Sequence, residues 1–372
     1  MYVFAILLFS VFALIEVFNK DITEKNKIVF AATCFLFLVL HDGLRWETGS
    51  DWDSYYNQFN LIKSLDFEEI PFEPGFTLLF GGIKLLTDDY SVYLVLHALL
   101  FYSAFFFAIF KLSDFPFTSL LIFYMITVPF MGMNRQFLAM AVYIIALYYL
   151  ISYNQKWVYF LLILSALLFH RTAILTLPIL LLTFNFQKKT IVIGLIVCFL
   201  ISASGILNSI SFAASLVLGS DDQTGKKLDY YVNEDKDLSI LSTVLSLVKK
   251  IIWLSLILVF EHLIDNKDRK FYILRNIYAF SIMIYILFNG TALQIIVARG
   301  LLYYNIAEIF MIPYVLTIFR QNYGKLLVML VLIAYCFVNI YKGFSNYGEE
   351  TDYFVPYKGL FINTDYVRQN TD

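Results

Sequence analysis

The chain has 372 residues, of which 60% are hydrophobic, 19% aromatic and only 15% charged, with a formal net charge of -2. Soluble domains are roughly 45–50% apolar and about 25% charged, and a soluble core at this length cannot hide the excess. Composition therefore excludes a soluble enzyme, a disordered regulator, a coiled coil and a secreted disulfide scaffold. The near-neutral charge, with no dense basic run, excludes a nucleic-acid partner. The class that remains is an all-α polytopic integral membrane protein.

In chain order, apolar runs near the ~20 residues that cross a bilayer fall at 2–18, 28–44, 90–110, 115–131, 136–152, 157–169, 172–186, 190–218, 240–264, 271–288, 301–319 and 325–341. The same rule gives about twelve spans, with bounds of roughly ten and fourteen. The first run meets Asn19-Lys20-Asp21 without a small-x-small site, which predicts a retained helix and no cleaved leader. From Trp52, the residues Tyr55, Phe59 and Ile62 recur at helical spacing and predict an amphipathic helix lying on the membrane. Residues 76–87 are short and interrupted by Gly81-Gly82, so the stretch near 52–87 is expected to be re-entrant or interfacial. Cys34, Cys198 and Cys336 lie in apolar runs and read as small hydrophobes. His41, His97 and His262 lack ligand spacing, so neither a metal nor a cofactor is expected.

Lys and Arg are densest in the short loops around 19–27, 111, 156, 188–189, 267–270 and 320–325, which the positive-inside rule puts in the cytoplasm. The longer segments at about 45–89, 219–238 and 342–372, and both termini, then face outward. None is long enough to fold alone, and no internal repeat is present, so residues 1–372 read as a single membrane domain. An extra span in the second half of 190–218 would invert the sidedness of everything after it.

This topology gathers the membrane-adjacent polar residues on one side: Arg45, Asp51, Glu73, Arg135, His170, Arg171 and Arg299. Arg135, in Asn134-Arg135-Gln136, and Arg299, just before Leu301-Leu302-Tyr303-Tyr304, stand where helices begin. Free N–H groups and the dipole make such positions anion seats, and a guanidinium fork suits phosphate oxygens. The competing reading for each arginine is snorkelling to the headgroups. His170, at the outer end of a span, has the ordinary pKa that suits proton transfer near neutrality. Its bland alternative is an interfacial histidine bonded to a carbonyl. Trp52 and Tyr55 beside Asp51 describe a sugar subsite, with an aromatic belt as the alternative. Lys249-Lys250 read as the edge of a span or, less favoured, as buried charge; Glu308 is expected to pair with an arginine. The tail with Tyr353, Pro356 and Tyr357 either folds over the outer cavity or is a loose terminus.

The order Arg45, Gly49-Ser50-Asp51-Trp52, Tyr55, then Glu73-Pro74-Gly75-Phe76, Asn134-Arg135-Gln136-Phe137-Leu138-Ala139 and Ala166, Phe169-His170-Arg171-Thr172-Ala173 resembles the EpsG family. That family stands with the Wzy-type polysaccharide polymerases of bacterial surface glycans. The match is good over roughly residues 1–185, and looser at Arg299 and the tail. The resemblance implies a GT-C-like, metal-independent membrane glycosyltransferase of the bacterial inner membrane, working on its periplasmic or exterior face. A growing glycan would pass from undecaprenyl diphosphate to a sugar hydroxyl of a new lipid-linked repeat unit, as in O-antigen, lipopolysaccharide or capsule assembly. A chain-length-determining co-polymerase is a further partner. In this scheme Arg135 and Arg299, supported by Arg45 or Arg171, hold the diphosphate. His170 is the first choice of base and Asp51 the second. Trp52, Tyr55 and Glu73 position acceptor sugar, with pairing to an arginine as the alternative for Glu73, and Gln136 and Tyr304 are further substrate-binding residues. The alternatives are an O-antigen ligase, a lipid-linked oligosaccharide flippase or transporter, and a membrane acyltransferase.

Overall fold

The structure is a computed structural model, which describes residues 1–19, 21–65, 72–207, 240–264, 267–291, 293–294, 296–345 and 353–368. Among these the regular elements are helices, with no strand and two isolated bridges. In chain order they are α1 (Tyr2–Phe18), α2 (Glu24–Gly43), α3 (Trp52–Leu61), α4 (Pro74–Leu86), α5 (Tyr90–Leu112), α6 (Pro116–Thr127), α7 (Asn134–Tyr153) and α8 (Lys156–Ala166). A 3-10 helix (Arg171–Thr183) follows, then α9 (Lys188–Ala203), α10 (Ile240–Val259), α11 (Arg269–Phe288), α12 (Leu301–Met311, prolonged by short turns to Ile318) and α13 (Asn322–Ser345).

Six of the described helices are long and apolar enough to cross a membrane, and shorter apolar ones accompany them. They match the expected runs at 28–44, 90–110, 136–152, 271–288, 301–319 and 325–341, as befits a multi-pass membrane protein. The expected run at 190–218 is helical as far as Ala203, and its end, like the loop 219–238, lies outside the described residues.

Three expectations change. Gly81 and Gly82 sit inside a continuous α4, so the segment is a regular helix. The apolar face of α3 is taken by protein: Trp52, Tyr55 and Phe59 join one buried cluster with Phe76 and Phe80 of α4 and Tyr90 and Tyr93 of α5. The predicted span 172–186 is the 3-10 helix, with Pro178 inside it, whose ring denies an α-helix one N–H bond. At ~2.0 Å per residue, 3-10 geometry also stretches a short segment further than an α-helix does.

The chain divides into two compact units, Met1–Ile174 with Phe319–Asp372, and Leu175–Ile318. In the first, α5 packs on α2 and α7, α7 on α8, and α1 on α6 and α13. Helix ends there are satisfied across the fold. The Glu16 carboxylate of α1 accepts Phe117 N, Thr118 N and Thr118 Oγ1 of α6, each at 2.9 Å, placing negative charge at a helix N-terminus. The tail is docked, not loose. Trp46 N donates to Lys358 O at 3.0 Å, Gly49 N to Tyr353 O at 2.8 Å, and Tyr357 Oη to His41 O at 2.6 Å.

In the second unit α11 packs on α9, α10 and α12. Lys250 is buried there, donating to Glu308 and to Asn305 Oδ1 at 2.9 Å. Lys250 is therefore internal and not a span edge, and Glu308 has a lysine partner where an arginine was expected.

Candidate functional site

Two tight approaches in the first unit set the candidate site. Gly49 and Gly132 have φ of +109° and +114°, and a Cβ on Gly49 would meet Met131 O at 2.6 Å. Only glycine allows these two turns to touch, and the contact brings the start of α3 beside the start of α7. The second approach is at Gly75, where a Cβ would lie 2.9 Å from Leu168 O. That same carbonyl accepts Gly75 N at 2.8 Å and Phe76 N at 3.1 Å, satisfying the first turn of α4. Glu73 is thereby held against the chain at His170-Arg171-Thr172.

Arg135 is the second residue of α7, where the helix dipole adds to its charge. Its NH1 donates to Glu73 Oε2 at 2.9 Å and its Nε to Tyr55 Oη at 3.1 Å, and the guanidinium lies 4.8 Å over the Phe72 ring. NH2 takes part in neither bond, and the side chain stays 29% exposed beside a Glu73 that is 9% exposed. The other Glu73 oxygen accepts Arg171 N at 3.4 Å. Burial raises the pKa of the Tyr55 phenol above its ordinary value while Arg135 pulls it down, so Tyr55 keeps its proton at neutral pH.

His170 is half-buried, with Nδ1 lying 2.6 Å from Thr172 Oγ1 and 3.3 Å from Thr172 N, two contacts in which its role depends on the tautomer. Asp51 stands at the N-cap of α3 with no capping bond from its side chain, partly exposed. Arg171 has an exposed side chain.

The structure thus brings Tyr55, Glu73, Arg135 and the His170-Arg171 backbone together. Trp52 is buried on the same helix as Tyr55 and borders a separate pocket. Three residues expected to touch substrate are buried. Arg45 is 1% exposed, its guanidinium engaged by Asp42 and by Asn134 Oδ1 at 2.7 Å, so it braces the start of α7 from behind. Gln136 is 1% exposed and faces the interior. Tyr304 is likewise 1% exposed, in the second unit, donating from its Oη to Leu175 O at 2.5 Å. Glu73 meets Arg135 as its ion partner, the alternative to a sugar contact. Arg299 is half-buried on a π-helical turn, Ile296–Gly300, of the second unit.

Two positioning residues escaped the sequence reading. His97 Nε2 lies 3.0 Å from Asn134 O, and Asp42 holds Arg45. Asp42 and Arg45 are one helical turn apart, a spacing that signals an ion pair, whereas nothing local marks His97.

Searches of curated proteins and of solved structures return no match. A family model described as the EpsG family matches residues 28–359, most of the chain. With that span matched, the chain belongs to the EpsG family of polysaccharide polymerase-like membrane proteins.

Proposed function

We propose that the chain polymerises a surface polysaccharide at the outer face of a bacterial inner membrane. A growing glycan leaves undecaprenyl diphosphate and joins a sugar hydroxyl of a new lipid-linked repeat unit, within a GT-C-like bundle of about twelve spans. The observation that carries this reading is Arg135: a half-open guanidinium at a helix start, held from two sides by Glu73 and Tyr55. A fork fixed before the substrate arrives stabilises charge as it develops on the leaving diphosphate, with no cost of reorganisation at that moment. The exposed Arg171, whose backbone N–H meets Glu73, is a second cation next to His170 in the chain. Arg299 enters on its sequence position alone.

His170 is the base in this scheme. With Nδ1–H donated to Thr172 Oγ1, Nε2 presents its lone pair to the acceptor hydroxyl, the arrangement of an oriented imidazole. The Thr172 N–H contact favours a second reading: Nδ1 as acceptor puts the proton on Nε2, making His170 a donor to the leaving group and Asp51 the base.

The test is a surface-glycan gel from a host lacking the gene, complemented with wild type or Arg135→Ala. The polymerase reading predicts a ladder restored by wild type, with only single-unit glycan for the variant at normal membrane levels. Loss of every glycan band in the deletion strain, the single unit included, points instead to a flippase or ligase, and an unchanged ladder overturns the assignment.

A further inference from the structure

A pocket of about 560 Å3 lies between the Trp46–Asn57 segment and the docked tail, both in the first unit. Its volume falls within the ~300–1,000 Å3 of small-molecule sites. One wall is aromatic: Tyr56 stacks on Trp52 with ring centroids 4.8 Å apart, and Trp46 meets both rings edge-on. Trp52 is 3% exposed, and its indole Nε1–H has no acceptor among the described residues. The rim is polar and of mixed sign. Lys358 Nζ pairs with Glu47 Oε2 at 2.6 Å, Arg368 NH2 donates to Thr48 Oγ1 at 2.8 Å, and Asp53 and Asn57 are exposed on α3.

The chemistry narrows the ligand. Two carboxylates, Glu47 and Asp53, balance the two cations, Lys358 and Arg368, so the rim has no net positive charge to hold a phosphate, and its charges disfavour an acyl chain. A ring with apolar C–H faces and hydroxyl edges satisfies both walls at once: its faces cover the half-exposed Trp46 and Tyr56, and its hydroxyls find donors and acceptors around the rim. We infer that this pocket is a saccharide subsite, holding a sugar residue of the substrate at a distance from the bond that reacts.

Distance follows from the helix. At about 100° per residue, Asp53 and Asn57 lie about 160° around α3 from Tyr55, which faces Arg135, and Tyr56 lies on the flank between them. The polar edge of the pocket on α3 and the guanidinium therefore lie on opposite faces of a helix about 10 Å across. A sugar held there sets which glycan is accepted and takes no part in bond making. Although Asp53 is exposed at the rim, partial desolvation there and the neighbouring Glu47 raise its carboxyl above the ordinary pKa. A folded-state pKa above the unfolded one means that ionisation weakens the fold as pH rises through it, so the charge on Asp53 does not serve stability.

The inference rests on the polymerase reading for the kind of sugar present. It is tested on the full-length protein in lipid nanodiscs, titrated with short lipid-free oligosaccharides released from the host's own surface glycan, with binding read by calorimetry and saturation-transfer NMR. Trp46→Ala and Asp53→Asn should each weaken binding about tenfold or more, which is about 1.4 kcal/mol. Asp53→Asn should also melt at or above the wild-type temperature, which separates lost binding from lost folding. Wild-type affinity in both variants, or no binding by the wild type, overturns the inference. If wild type binds in a Trp46-dependent way yet makes no polymer from lipid-linked units, the subsite stands and the polymerase reading falls. If both variants polymerise at the wild-type rate and bind like wild type, the subsite falls and the polymerase reading stands.

Discussion

Arg45 and Arg135 look alike in the sequence, each a lone arginine near a helix end among outward polar residues, and the fold gives them opposite surroundings. The Arg45–Asp42 pair has side chains 0% and 1% exposed, closed off behind α7. The Arg135–Glu73 pair has side chains 29% and 9% exposed, with NH2 outside its two bonds. Both pairs meet Asn134-Arg135 from different directions: Arg45 braces the asparagine, and Glu73 and Tyr55 aim the arginine. A sealed pair can only hold position. An open one can also receive an anion. Burial opposes the charge of Arg45, and the adjacent Asp42 carboxylate outweighs it, keeping the guanidinium protonated.

This contrast can be broken in graded steps. Arg45→Ala leaves the Asp42 carboxylate buried and unpaired, at a cost of about 3–5 kcal/mol, so the protein should disappear from membranes on an immunoblot. Replacing both partners together, Asp42→Leu with Arg45→Met, removes the uncompensated charge and should recover part of that level. Arg135→Ala should leave membrane levels near wild type and lower the rate of polymer formation about 100- to 1,000-fold, the loss typical of one donor to a developing oxyanion. If Arg45→Ala behaves like Arg135→Ala, with normal levels and no polymer, the two arginines share one role and the contrast is wrong.

Gly75→Ala comes next. Its Cβ would sit 2.8 Å from Leu168 Cβ, so α4 must shift, costing about 1–3 kcal/mol and moving Glu73 away from Arg135. A lower melting temperature together with a reduced rate is the expected pair of readouts. The smallest effect belongs to Thr172. Thr172→Val removes the hydroxyl on His170 Nδ1, worth about 0.5–1.5 kcal/mol or a few-fold in rate, and Thr172→Ser should restore it. An unaltered rate in Thr172→Val would favour the backbone contact and hence the donor role of His170.

Much of this was legible in one dimension. The apolar runs at 90–110 and 136–152 lie within helices Tyr90–Leu112 and Asn134–Tyr153, because a long uninterrupted apolar stretch has one stable form in a bilayer. The spacing of Trp52, Tyr55 and Phe59 named a helix with one apolar face, but periodicity does not say what covers that face; here α4 and α5 do. Arg135, Glu73 and Tyr55 were each visible as unusual residues, yet their meeting depends on the glycine contacts at Gly49, Gly132 and Gly75, which join segments far apart in sequence. The burial of Tyr304 and Arg45 is hidden from the sequence in the same way, because burial is a property of the packed chain. The cysteine and proline positions carried less. Pro178 marks a break from α geometry, but a run of apolar residues around it still read as an ordinary span.

The most direct test of the central claim is the release of lipid diphosphate by purified full-length protein given lipid-linked repeat units. Wild type should release it in step with polymer growth. Arg135→Ala, with an unchanged melting temperature, should release it at about one hundredth of that rate or less. Release by Arg135→Ala at the wild-type rate would contradict the account, because the open guanidinium would then play no part in stabilising the leaving group.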